Sequence, residues 1–192
     1  MTLERLCSDH CPSFRNLRPA SYWTGRFLHD SKRLRLIEVE AIMNRQILRD
    51  AGPTSEDDDI ARISRETRVI AMVGLSPNES RPAWGVARYL MSQGYRVVPI
   101  NPGHAGGTIL GELVHADLSA IPAEIEVDMV DIFRRPDAVP AIIDAALDCL
   151  PHLSTIWMQL GIRHEEAAAK ALAAGVTVIQ DRCPKIEFPR YR

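Results

Sequence analysis

Five short apolar runs, separated by polar and helix-patterned stretches, constrain this chain more than any other feature. They read "RVIAMVG", "YRVVPIN", "VDMVDIF", "STIWMQL" and "VTVIQD" and are apolar across nearly all of their middles. A strand with one wet face alternates apolar and polar residues; a strand buried on both faces does not. These runs therefore predict a sheet covered on both sides. The intervening segments carry the helical period that supplies those covers. Ala83, Ala87, Leu90 and Met91 share one helix face, and Val139, Ile142, Ile143, Ala146 and Leu150 share another. "EEAAAKALAAG" is a third helix, with small side chains that lie close to a sheet.

The order predicted is helix 55–65, strand 69–74, helix 82–93, strand 96–100 and an extended piece near 113–116. Strand 127–132, helix 138–150, strand 154–159, helix 164–174 and strand 176–180 follow. Thr54 or Ser55 caps the first helix, and Asp137 caps the helix that carries Pro140 in its first turn. Alternating strands and helices with right-handed crossovers give an α/β fold: a Rossmann-like, doubly wound parallel sheet of about five strands in three layers, α/β/α.

This domain is expected over residues 53–192, and residues 1–52 are expected to be an extension, irregular or partly helical around Leu34 to Leu48. "AGPTSEDDD" separates the two as a solvated linker. Three readings of the extension stand: a disordered arm, a partner-binding arm, and sequence upstream of a start at Met43. The third is adopted as the expectation. Its arginines resemble those of a transit peptide, but Glu4, Asp9, Asp30, Glu38 and Glu40 count against that reading. A net charge of −2 over 192 residues lacks the basic footprint of a nucleic-acid binder. No apolar run approaches the roughly 20 residues that span a bilayer. Cysteines at 7, 11, 149 and 183 show no framework spacing. Reduced thiols and a cytoplasmic location are the expectation.

In an open doubly wound sheet, ligands bind beyond the carboxyl ends of the strands, where strand order reverses. The residues just after each run include Gly74, Ser76, Asn78, Arg81, Asn101, Arg134, Arg135 and Gln159, several of them donors or cations. The first loop, "GLSPNESRPAWG", lacks the dinucleotide glycine fingerprint, and ten residues (75–84) separate Gly74 from Gly85. Gly74 lets the strand turn away, and Pro82 suits the first helical position. The N–H groups of residues 83 to 85 then point into the loop, where with Arg81 they attract a phosphate. A plain surface loop is the other reading of this stretch. The second run ends in Asn101 and Pro102, where NAD enzymes usually place an acid for the ribose hydroxyls. An acid would repel a phosphorylated ribose and Asn101 would not, which leaves coenzyme A and NADP.

With "VIAMVGLSPNESRPAWGVARYLMSQGYRVVPINP", "LVHADLSAIP", "VDMVDIFRRPDAVP", "IWMQLGI" and "AAGVTVIQDRCPKIEFPR", the chain resembles the small single-domain CoA-binding proteins. That family is related to the CoA-binding domain of the succinyl-CoA synthetase α subunit, and the resemblance covers about residues 56–192. It implies that the loop from Ser76 to Arg81 and the following helix start, with Pro82 and Ala83, take the pyrophosphate. It also implies that Asn101 and Pro102 flank the adenosine. The turns Asp131 to Arg134, through Phe133, and Gln159 to Ile162, through Gly161, would line a pantetheine channel. Ala83 stands where many relatives carry serine. No ATP-grasp domain and no domain with a phosphorylatable histidine accompany it, so ligase activity of this chain alone is not expected.

The remaining candidates carry less. "CSDHC" (Cys7, His10, Cys11) is half of a zinc pattern without a second half. Cys183 is read either as a thiol activated by Arg182 and Lys185, able to form a mixed disulfide with coenzyme A, or as an inert, partly buried cysteine. The second is favoured. His104, His115 and His164 are surface or satisfied residues, and Asp128 and Asp131 are not an acid/base pair. Arg134 and Arg135 together at a helix start suggest an anion between them. Trp157 is core, and Trp84 a candidate wall for adenine or pantetheine. The expected function is binding of coenzyme A or an acyl-CoA, without a full catalytic set. The alternatives are an NADP-dependent oxidoreductase and a nucleotide-sensing module with a protein partner or a second copy.

Overall fold

The computed structural model describes residues 55–191. The readings made for residues 1–52, "CSDHC" and Thr54 lie outside the described residues. The elements run α1 (Glu56–Glu66), β1 (Val69–Val73), α2 (Pro82–Ser92), β2 (Arg96–Ile100), β3 (Thr108–Ile109) and β4 (Glu112–Leu113). Then come β5 (Met129–Ile132), α3 (Val139–Cys149), β6 (Thr155–Met158), α4 (Glu165–Ala173), β7 (Thr177–Ile179) and α5 (Pro184–Glu187). The five longer strands form one sheet in the order β2-β1-β5-β6-β7, every pair parallel. The chain steps outward from β1 to β2, then returns to β5 on the other side of β1. Strand order thus reverses between β1 and β5.

Two hydrophobic clusters lie on opposite faces of this sheet. On one, Ile60 and Ile63 of α1 and Val86, Ala87 and Leu90 of α2 pack against Ile70, Met72, Met129 and Trp157. On the other, Val139, Ile143 and Ala146 of α3 and Ala167, Ala168 and Ala171 of α4 pack against Ala71, Val130, Ile132, Ile156 and Met158. Successive strand residues point to opposite faces, so the uninterrupted apolar runs serve both layers. The three-layer expectation holds. No helix among the described residues is long and apolar enough to cross a membrane.

Four local readings change. The extended piece expected at 113–116 is a two-stranded hairpin, β3 with β4, tied to the sheet by a single parallel bridge between Ile100 and His115. Asp137 does not cap α3; it lies in a 3-10 turn, Pro136–Ala138, that precedes the helix. His164 caps α4, its Nδ1 accepting the Ala167 N–H at 3.2 Å. The tail beyond β7 is also structured: α5 runs into a 3-10 turn, Phe188–Arg190.

That tail closes the first cluster. Phe188 is fully buried, edge-on to Trp157 at 5.5 Å between ring centroids and 5.6 Å from Tyr95. The Trp157 Nε1–H donates to the Arg182 carbonyl at 2.7 Å, and the Tyr95 hydroxyl donates to the Ser64 carbonyl at 2.6 Å. Buried Glu187 is held by Arg182 and Arg190 at 3.4 and 2.7 Å. Phe188→Ala should destabilise the domain by about 3–5 kcal/mol, measured by urea denaturation. A loss under about 1 kcal/mol would show that the tail merely decorates the core.

Candidate functional site

The strand-order reversal opens a cleft of about 720 Å³ at the carboxyl edge of the sheet. Its floor starts at Gly74, whose φ is +95° and whose N–H donates to the Ile100 carbonyl at 2.9 Å. A Cβ there would stand 2.8 Å from the Phe133 carbonyl oxygen. Both the backbone conformation and the space therefore demand glycine.

The loop from Gly74 to α2 is held by its own side chains. Ser76 Oγ accepts the Asn78 N–H at 3.2 Å, and Asn78 Oδ1 accepts the Ser80 N–H and hydroxyl at 2.9 and 2.7 Å. Asn101 joins it from β2: its Nδ2 donates to the Leu75 carbonyl at 2.8 Å and its Oδ1 accepts the Gly103 N–H at 3.0 Å. Asn101 lines the cleft but spends both ends of its amide as a staple. An aspartate would lose the donor to Leu75, a structural reason for this residue beside the electrostatic one.

Of the residues expected at the site, Gly74, Ser76, Arg81, Pro82, Ala83, Asn101, Phe133, Arg134, Arg135 and Gln159 line this one cleft. Four do not. Asn78 is exposed and braces the loop from within. Trp84 is half-buried against the core with the Arg88 guanidinium 4.8 Å from its ring centroid, turned from the cleft by its place on the helix. Gly161 turns the chain at φ +75°, its N–H on Asp181 Oδ1 at 2.7 Å, so that Leu160 and Ile162 line the cleft. Pro102 belongs to a second cavity of about 300 Å³, with Ile100, Asp117, Leu118, Ala141 and Ile142. Gly74 and Arg134 line both cavities.

The charges are unequal. Among the described residues, neither Arg81 nor Arg134 has an acidic partner, whereas Arg135 pairs with Asp137 at 3.3 Å. The expected anion between Arg134 and Arg135 is thus met in part by Asp137. The helix start offers fewer free donors than expected, because the Trp84 N–H already donates to the Arg81 carbonyl at 3.1 Å. No acid lies in the first turn of α2, so the positive end of its dipole remains uncompensated.

Two groups beneath the cleft revise the sequence reading. Cys183 lines it, but burial pushes the thiol up from its ordinary value, and Asp131 adds to the shift. Arg182 is occupied by Glu56 and Glu187, so the thiolate activation considered for Cys183 is not what its surroundings provide. Asp131, read as a bystander near a strand end, is fully buried, and burial pushes its carboxyl up to about 7. The Gln159 amide, donating to both carboxyl oxygens at 2.9 and 3.1 Å, acts in the opposite direction. Its signal was an acid inside an otherwise apolar run. Asp128, by contrast, accepts the Arg68 and Val69 N–H groups and anchors the start of β1.

Comparison with known proteins adds three relations. The family described as CoA binding domain matches residues 68–189. The uncharacterised protein YneT of Bacillus subtilis (strain 168) is 31% identical over 128 residues, covering 67% of this chain and 90% of YneT. Cell-free ID.343 from Thermus thermophilus superposes with a TM-score of 0.66 at 35% identity, over 72% of this chain and 100% of that one. A hypothetical protein from Pyrococcus horikoshii OT3 gives 0.65 at 31% identity, over 73% of this chain and 93% of the other.

Asp131 makes a pH prediction. Its folded-state value lies above the ordinary 3.8, so the folded protein holds that proton more tightly than the unfolded chain. Its contribution favours folding fully below pH about 4 and is lost as pH rises through about 7. Between those limits, wild type should lose stability relative to Asp131→Asn by up to about tenfold in the folding equilibrium per pH unit. Urea midpoints across that window measure the difference; parallel profiles would contradict the buried titration.

Proposed function

The chain belongs to the CoA-binding domain family, and from that premise we propose that it binds coenzyme A or an acyl-CoA at this cleft. One observation carries the reading: two cavities of unequal size meet at Gly74 and Arg134, at the strand-order reversal. Such a ligand has a flat adenine, a charged middle and a long neutral arm. The smaller cavity, walled by Ile100, Pro102, Leu118 and Ile142, suits the adenine. The diphosphate then crosses the loop at Gly74 and Ser76, within reach of Arg81 and Arg134. Pantetheine follows the larger cleft past Phe133, Leu160 and Ile162.

Recognition rather than turnover is the reading adopted, with a protein of the cytoplasm that senses or carries the ligand. Supporting it, the cleft's cations lack acidic partners while its one buried carboxyl is already held by an amide. No nucleophile with a paired base faces the cleft among the described residues.

Calorimetric titration of the full chain with coenzyme A, dephospho-coenzyme A, NADP and NAD tests the proposal. Coenzyme A should bind most tightly, and at a hundred times its dissociation constant should stabilise the fold by about 2.7 kcal/mol. Tighter binding of NADP would replace the assignment. Arg134→Ala should weaken coenzyme A by about tenfold or more, as loss of a charge-assisted bond does; unchanged affinity would remove Arg134 from the site.

A further inference from the structure

We propose that Gln159 is a specificity-determining residue of the cleft: Asp131 anchors its amide nitrogen, so its carboxamide oxygen faces the ligand and selects a neutral N–H donor. The inference rests on the coenzyme A reading and assigns the end of the cleft that receives the amide-bearing arm.

Asp131 stands on the central strand β5, level with Met72 of β1 and Trp157 of β6. Gln159 follows β6 directly, and its Nε2 reaches both carboxyl oxygens of Asp131, at 2.9 and 3.1 Å. A carboxylate can only accept, so it fixes which end of the Gln159 amide points inward. The amide group is planar, and its oxygen is left on the side away from Asp131. Gln159 is 5% exposed and lines the cleft, and no buried side-chain oxygen among the described residues lacks a partner. Its Oε1 is therefore the atom that meets the cleft.

An acceptor oxygen backed by a buried carboxyl sets a negative pole. Arg81 and Arg134 set a positive one elsewhere along the same lining. Phosphate oxygens are repelled from the first and drawn to the second. A ligand with a diphosphate and an amide arm is thereby given one orientation. Leu160 and Ile162 beside Gln159 provide the apolar surroundings in which one hydrogen bond discriminates well.

Titration of the full chain at pH 8 with coenzyme A and with 3′-phospho-ADP, which lacks pantetheine, separates the roles. Gln159→Leu and Asp131→Val should each weaken coenzyme A by about three- to tenfold, the worth of one neutral hydrogen bond, and leave 3′-phospho-ADP unchanged. Asp131→Val should melt no lower than wild type, since it removes a buried charge, so its weaker binding would not reflect unfolding. Equal losses on both ligands, or no loss on coenzyme A, would overturn the role of Gln159 while leaving the coenzyme A reading in place. A wild-type chain that binds neither compound would overturn that reading, and this inference with it.

Discussion

The contact between Gly74 and the Phe133 carbonyl is the constraint around which the site is arranged. Both residues leave the sheet at the same level, Phe133 donating its N–H to the Val73 carbonyl at 2.9 Å while Gly74 donates to Ile100. Three adjacent strand ends are thus tied by backbone bonds. The chain can leave β1 toward α2 only by a left-handed turn with nothing on its Cα, since a Cβ would press on a carbonyl fixed in the ladder. The two cavities meet where that turn is made. Asn101 sets the path of the departing loop by holding Leu75, and the loop's serines and Asn78 keep it from collapsing into the cleft.

The layers were legible in the sequence because burial on both faces erases strand alternation and leaves apolar runs that are hard to mistake. The tail was not legible. "DRCPKIEFPR" contains two single-turn helices, too short for any period to register, and what holds them is the long-range packing of Phe188 on Trp157 and Tyr95. The hairpin at 108–113 is similarly short, and its attachment rests on one bridge.

At the site, the residues that sequence reasoning located well are those fixed by topology: whatever follows a strand at the switch point faces the ligand. Those it located poorly are fixed by direction. Trp84 lies next to the right helix start but on a flank turned to the core. Asn78 lies in the right loop, yet its amide oxygen is spent on Ser80. Pro102 follows β2 as expected and faces the smaller cavity, which no motif announced. Asp131 could be counted in the sequence, but its burial and its pairing with Gln159 depend on β6 lying beside β5.

That pairing has a physical cost that bears on its meaning. Valine at position 131 would continue the run of Met129, Val130 and Ile132 and remove the penalty of burying a carboxyl in an apolar layer. The strand instead carries an acid whose single hydrogen-bonding partner is an amide lining the cleft. Local rules of patterning are broken most often where a ligand is handled, and here the break lies directly under the cleft floor. The same acid raises the Cys183 thiol beside it, so one carboxyl keeps a neighbouring nucleophile quiet and orients the amide above it. A cleft built this way holds its ligand by field and shape: cations without partners where the ligand is anionic, an oriented acceptor where it is neutral, and no activated side chain between them.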